Sequence, residues 1–169
     1  MTPPAATLRI ATLALALMPA LGLAAPATTT SLDVRLRHEN VDDDLFANDA
    51  NATTLRLRAG LQHAFGAHFS ARIEFEGTQH LGSEHFNSTA NGETAYPVVV
   101  DPDNAEINQA WLAWTPDANT RIGIGRQKLN FDNQRYIGAS SWRQNEQTFD
   151  ALDATHTFDR TGPDGTTMT

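Results

Sequence analysis

The chain has 169 residues, with 20 acidic and 12 basic side chains, six histidines, no cysteine and a formal net charge of −8. That balance argues against a nucleic-acid partner, which needs a basic face. The lack of cysteine rules out a disulfide framework, so a core, a barrel or the membrane itself must hold the fold.

Residues 1–24 read as a signal peptide. Arg9 is the only charged side chain there, and an apolar run follows from Ile10 to Leu23. Gly22-Leu23-Ala24 places small residues before a cleavage point, and Ala25-Pro26-Ala27 offers a second. The run is short of the roughly twenty residues a spanning helix wants, so export and cleavage are expected rather than a retained anchor. Loss of Arg9 with the leader takes the net charge from −8 to −9. No later apolar run approaches spanning length, so any membrane insertion must be by strands.

After a short linker the pattern turns to strict alternation. Leu32, Val34 and Leu36 alternate with Asp33, Arg35 and Arg37. Leu55, Leu57 and Leu61 alternate with Arg56, Arg58 and Gln62, and Phe69, Ile73 and Phe75 with Ser70, Arg72, Glu74 and Glu76. Period-two alternation predicts strands at about 31–39, 53–63, 68–78, 105–115, 120–127 and 149–158. In the fourth strand the face is ambiguous: either Ile107, Trp111 and Ala113, or Ala110, Leu112 and Trp114, form the apolar set. Trp111 and Trp114 fall on opposite faces, one suited to an interfacial aromatic belt and the other to a lumen.

The predicted connections run long, short, long, short, long. They are the acidic segment 40–52, a turn at Gly66, the Gly-, Ser- and Asn-rich segment 79–104, a Pro116-Asp117 turn, and 128–148. With the N-terminus in the periplasm, short turns fall inside and long loops outside, as in an up-and-down outer-membrane barrel. The fold class expected is therefore all-β, an antiparallel up-and-down transmembrane barrel. The sequence supplies about six strands, where about eight are the known minimum for a closed barrel. This reads as the N-terminal part of a larger barrel over 25–158. Residues 159–169 then form an irregular tail, for which a truncated or frameshifted reading frame is the simplest account.

The charged face carries Arg35, Arg37, Arg56, Arg58 and Arg72, with Arg121 further on. Arginines two apart on adjacent antiparallel strands form a ladder, and a guanidinium presents a planar fork to carboxylates. A permeating polyanion would find exchangeable partners there. Equally, Glu39, Glu74, Glu76 and Glu106 would satisfy the ladder across the wall. Arg126 shares its face with Ile122 and Ile124 and fits only at a strand end. Asp42, Asp43, Asp44 and Asp49 lack the glycine and terminal glutamate of an EF-hand loop and read as a solvated loop. The histidines show no metal-ligand spacing, and neither Ser83 nor Ser140-Ser141 sits in a nucleophile elbow. No catalysis, metal or cofactor is expected.

VDDDLFANDANATTLRLRAGL (41–61), FNSTANG (86–92), YPVVVDP (96–102), EINQAWLAW (106–114), GRQKLNFDNQRYIG (125–138) and WRQNEQTFDAL (142–152) together resemble the N-terminal part of bacterial alginate-export-type outer-membrane porins. The resemblance implies a large single-chain barrel with an Arg-lined lumen for an acidic polysaccharide, and a long loop folded toward that lumen. It places Arg126, Arg135 and Arg143 near the pore. The expected partners are outer-membrane lipid and an anionic saccharide; periplasmic export components are left open. The expected activity is passive passage of an anionic polysaccharide or oligosaccharide. The alternatives are a general small-anion porin and a soluble exported β-barrel binding protein of lipocalin type, in which the apolar face would turn inward onto a ligand. An outer-membrane hydrolase lacks a nucleophile and base.

Overall fold

A computed structural model describes residues 11–14, 27–158, 160–161 and 167–168 of the chain. Seven strands form one antiparallel sheet in simple sequence order. They are β1 (Ala11–Ala14), β2 (Thr28–Val41), β3 (Ala50–Phe65), β4 (Phe69–His80), β5 (Asn104–Asp117), β6 (Thr120–Gln127) and β7 (Phe149–His156). A two-rung ribbon, β8 (Arg160–Thr161) with β9 (Thr167–Met168), stands outside the sheet, where the sequence had suggested an irregular tail. β1 falls in the apolar run read as the leader and pairs with β2 from Ala11↔His38 to Ala14↔Arg35. The rest of the leader lies outside the described residues. Among the described residues the sheet is open: β7 pairs with β6 alone.

Alternation fixes which face each strand presents. In one register row Leu32, Ala59, Phe75 and Ile107 stand side by side; in the next inward-pointing row Asp33, Arg58, Glu76 and Glu106 do. The first face is bare and apolar: Leu32 and Leu152 are 68% and 72% exposed. The second is covered and charged: Arg37 and Glu76 are 2% and 3% exposed. A soluble domain does not leave so large a contiguous apolar face in water. The lipocalin arrangement, with apolar side chains covered and charged ones bare, is the reverse of what the sheet shows.

Strand β5 resolves its ambiguity by breaking phase. Phe75 pairs with Ile107 and Glu74 with Gln109, so Asn108 is an extra residue on β5, a β-bulge. Both Asn108 and Gln109 are consequently buried on the charged face. Ile107 before the bulge and Ala110, Leu112 and Trp114 after it all join the apolar face, one residue from the first set the alternation allowed and all three from the second. Trp114 stacks on Phe69 at 6.5 Å between ring centroids, beside the Gly66 turn. Trp111 lies on the charged face, its ring 5.2 Å from the Arg121 guanidinium.

The strands are longer than the alternation suggested where their ends turn polar. Asn40 pairs with Asn51 and Val41 with Ala50, leaving only 42–49 as the first loop. The turns are tight: Gly66 takes φ 65°, and Asp117 accepts hydrogen bonds from Asn119 N (2.9 Å) and Thr120 Oγ1 (3.0 Å). At Gly125 φ is 124°, and a Cβ there would collide with the Ala110 carbonyl and lie 2.9 Å from Trp111 Cα. Only glycine lets β5 and β6 run so close. Both longer loops, 81–103 and 128–148, fold back over the charged face. The first buries Phe86 and Val99 against Ala50 and Ala52, the one apolar cluster among the described residues.

Candidate functional site: an arginine face under an inward-folded loop

The arginine ladder forms where the alternation places it, and most of it is paired. Arg37 meets Glu39 on its own strand and Asp101 from loop 81–103 at 3.0 Å. Arg58 meets Glu76 across β3–β4 and Glu146 from loop 128–148 at 3.1 Å. Arg72 meets Glu74. Arg121 donates to both oxygens of Asp153, at 2.9 and 3.2 Å. Gly60 makes room for this layer, since a Cβ there would lie 3.1 Å from Arg72 Nη2. Of the expected counter-charges Glu39, Glu74 and Glu76 serve; Glu106 forms no ion pair among the described residues.

Two arginines differ from this pattern. Arg56 is almost wholly covered, yet its partner Asp33 is half exposed. Its Nε and Nη1 have no hydrogen-bond partner among the described residues. Arg35 binds main chain instead of an acid: Nη1 donates to the Ser141 and Arg143 carbonyls at 3.1 and 3.2 Å, and Nη2 to Trp142 O at 2.9 Å. These bonds pin loop 128–148 to β2.

Gln144, fully buried, pins the same loop to β3. Its Nε2 donates to Thr54 O at 2.9 Å, Thr54 Oγ1 at 3.0 Å and Arg35 O at 3.3 Å. Its backbone N–H donates to Asp101 Oδ1 at 2.9 Å, tying the two loops together. Burial pushes the Asp101 carboxyl above the usual aspartate range. The Gln144 N–H and the guanidiniums of Arg37, Arg143 and Arg35 offset this only in part.

The three arginines placed by resemblance separate. Arg143 joins the site, 3.6 Å from Glu39 and 3.9 Å from Asp101, with its guanidinium 3.9 Å from the centre of the Trp142 ring. Arg135 is exposed over Tyr136, and no contact among the described residues links it to the ladder. Arg126 is a correction. In the phase of β6 it belongs with Ile122 and Ile124 on the apolar face, where it pairs with Asp150 at 2.9 Å at the strand end. The alternation, which allows Arg126 only at a strand end, agrees with this face; the likeness of the GRQ segment does not.

Several site residues were not anticipated: Asp33, Asp101, Asn108, Lys128, Trp142, Gln144 and Glu146. Three of them stand in the WRQNEQTFD segment, where the Gln144 amide and the Glu146 carboxylate beside Arg143 seat the loop. The acidic loop Asp42–Asp44 stays apart from the ladder. His80 sits between Asp103, at 2.9 Å, and Glu84, at 3.2 Å. No cluster among the described residues could hold a metal ion.

A sheet with a bare apolar face, a covered charged face, tight turns at one end and inward-folded loops at the other is the wall of an outer-membrane-type β-barrel. A family model described as alginate export matches residues 27–165. The chain belongs to that family, which exports polysaccharide across the outer membrane as a porin. No curated protein and no solved structure matches the chain.

Proposed function

We propose that this chain lines a passive pathway for an anionic, alginate-type polysaccharide or oligosaccharide, with its arginine face turned to the lumen and its apolar face on lipid. Long loops then lie outside the cell and tight turns in the periplasm. The observation that carries this reading is Arg56, a covered guanidinium whose Nε and Nη1 have no partner among the described residues and whose counter-ion is exposed enough to leave. A polymer carboxylate meets there a charge that is always present and a fork that fits it. Paired neighbours such as Arg58 and Arg72 keep the surrounding field from becoming a trap, which transport requires. The acidic outer loop opposes approach weakly, because exposed charges are screened beyond about 8 Å at physiological salt.

In planar bilayers the full-length protein should prefer anions, and uronate oligomers should block its current more than neutral sugars of equal size. Replacing Arg56, Arg58 and Arg72 together with Gln should weaken the block. Anion preference without selective uronate block would favour the general small-anion porin. A cation-selective pore would reject both.

A further inference from the structure

The carboxylate of Glu146 is fully enclosed. Arg58 Nη1 lies 3.1 Å from its Oε2, the Lys128 ammonium pairs with its Oε1, Asn108 Nδ2 donates to Oε1 at 2.7 Å, and Ser141 Oγ donates to Oε2 at 3.4 Å. The receptor and its occupant come from different parts of the chain. Arg58 stands on β3 and Asn108 on the β5 bulge, both belonging to the wall, and Lys128 directly follows β6. Glu146 arrives on the loop. Two cations and an amide donor converge on the Glu146 carboxylate, while Arg58 also holds Glu76 and Asn108 also donates to Glu74 at 3.0 Å. The wall thus keeps its own counter-charges, and the place that Glu146 fills is that of one further carboxylate, the group a uronate carries.

We propose that Arg58, Asn108 and Lys128 form a carboxylate subsite for a hexuronate unit, held shut in the resting chain by the loop's own Glu146. Exchange then opens it: the incoming carboxylate takes the donors, and Glu146 leaves with the loop. Burying an ion pair gains little net free energy because desolvation nearly cancels attraction. Replacing one carboxylate by another in a site already dry is therefore close to balanced. A polymer shifts that balance, since one carboxylate held at Arg56 raises the effective concentration of the next at Arg58. This inference rests on the polyanion pathway proposed above and adds a gate to it.

Thr54 reports on the exchange. It lies on β3 under Gln144, 1% exposed, and the native chain has no cysteine to confuse a label. In the full-length protein carrying Thr54→Cys, maleimide labelling should be slow. A uronate oligomer should accelerate it on the order of tenfold, as a multivalent competitor would, and a neutral glucan of equal length should not. With Glu146→Ala added, labelling should be fast without sugar and indifferent to uronate; Glu146→Gln, which keeps the shape, should fall between. Heat-dependent gel mobility identifies any variant that has failed to fold, and Glu146→Gln carries the test if Glu146→Ala does. If uronate blocks the current but leaves labelling unchanged, the gate is overturned and the pathway stands. If uronate blocks no current at all, the pathway reading fails and the gate with it.

Discussion

Arg58 and Arg56 stand two residues apart on one strand, yet removing them should have unequal effects. Arg58 holds two covered carboxylates, Glu76 and Glu146, and its loss leaves Glu76 without its paired cation and Glu146 with Lys128 alone. Breaking a buried pair from one side costs about 3–5 kcal/mol. Arg56 leaves behind only Asp33, which water can reach, so Arg56→Gln should cost about 0–1 kcal/mol. Urea unfolding in lipid vesicles, followed by tryptophan fluorescence, should rank Arg58→Gln well below Arg56→Gln; equal losses would mean the pairs are not the source of stability. Asp101 adds a pH term. Its carboxyl in the folded chain titrates above its ordinary value near 3.8. The folded state therefore holds the proton more tightly than the unfolded one, and the Asp101 contribution falls as pH rises from about 3.8 through the raised value, then levels off. Limited proteolysis of loop 128–148 across that range should show docking loosening with rising pH. Asp101→Asn, which keeps an acceptor for the Gln144 N–H, should flatten the response.

Among the elements, the test of the two faces is direct. Arg placed at Leu57 or Ile73, on the apolar face, should destabilise by about 2–4 kcal/mol near the bilayer midplane. The reverse pattern, with Arg56→Gln costly and Ile73→Arg harmless, would return the soluble barrel to consideration. All six predicted strands were readable because a half-buried strand writes its face into every second residue. The face of β5 was not, because a bulge inserts one residue and resets the count, so Ile107 from one set joins Ala110, Leu112 and Trp114 from the other. The ends of β2 and β3 were missed for a different reason: past the apolar zone, Asn40-Val41 and Ala50-Asn51 pair through backbone alone and leave no side-chain period. The docked loops were unreadable in detail, since Arg35 binds carbonyls and Gln144 binds Thr54, contacts across 107 and 90 residues that have no periodic trace.

At the scale of the whole molecule, stability rests on an inverted layering. Among the described residues the covered side is a network of ions and amides with one small apolar cluster, and the apolar side waits for lipid. Such a molecule should leave the envelope only with detergent, and a salt wash should not release it. The apolar segment ahead of Ala24 is proposed to be removed during export, so N-terminal sequencing of envelope material should begin at Ala25 or a few residues later. A product beginning at Met1 in the cytoplasm would sink the membrane assignment.

Arg35 grips the loop by the main-chain oxygens of Ser141, Trp142 and Arg143, and a carbonyl is the same whichever side chain it belongs to. The anchorage is thus blind to mutation at Ser141 and Trp142, the two exposed residues at its centre. The Arg35 grip therefore stays as it is when either side chain changes, even though Ser141 Oγ also donates to Glu146 and the Trp142 ring lies against the Arg143 guanidinium. A lineage adapting to a differently decorated polymer would have its cheapest variation there, at an exposed aromatic ring beside the arginine ladder, without rebuilding a single strand.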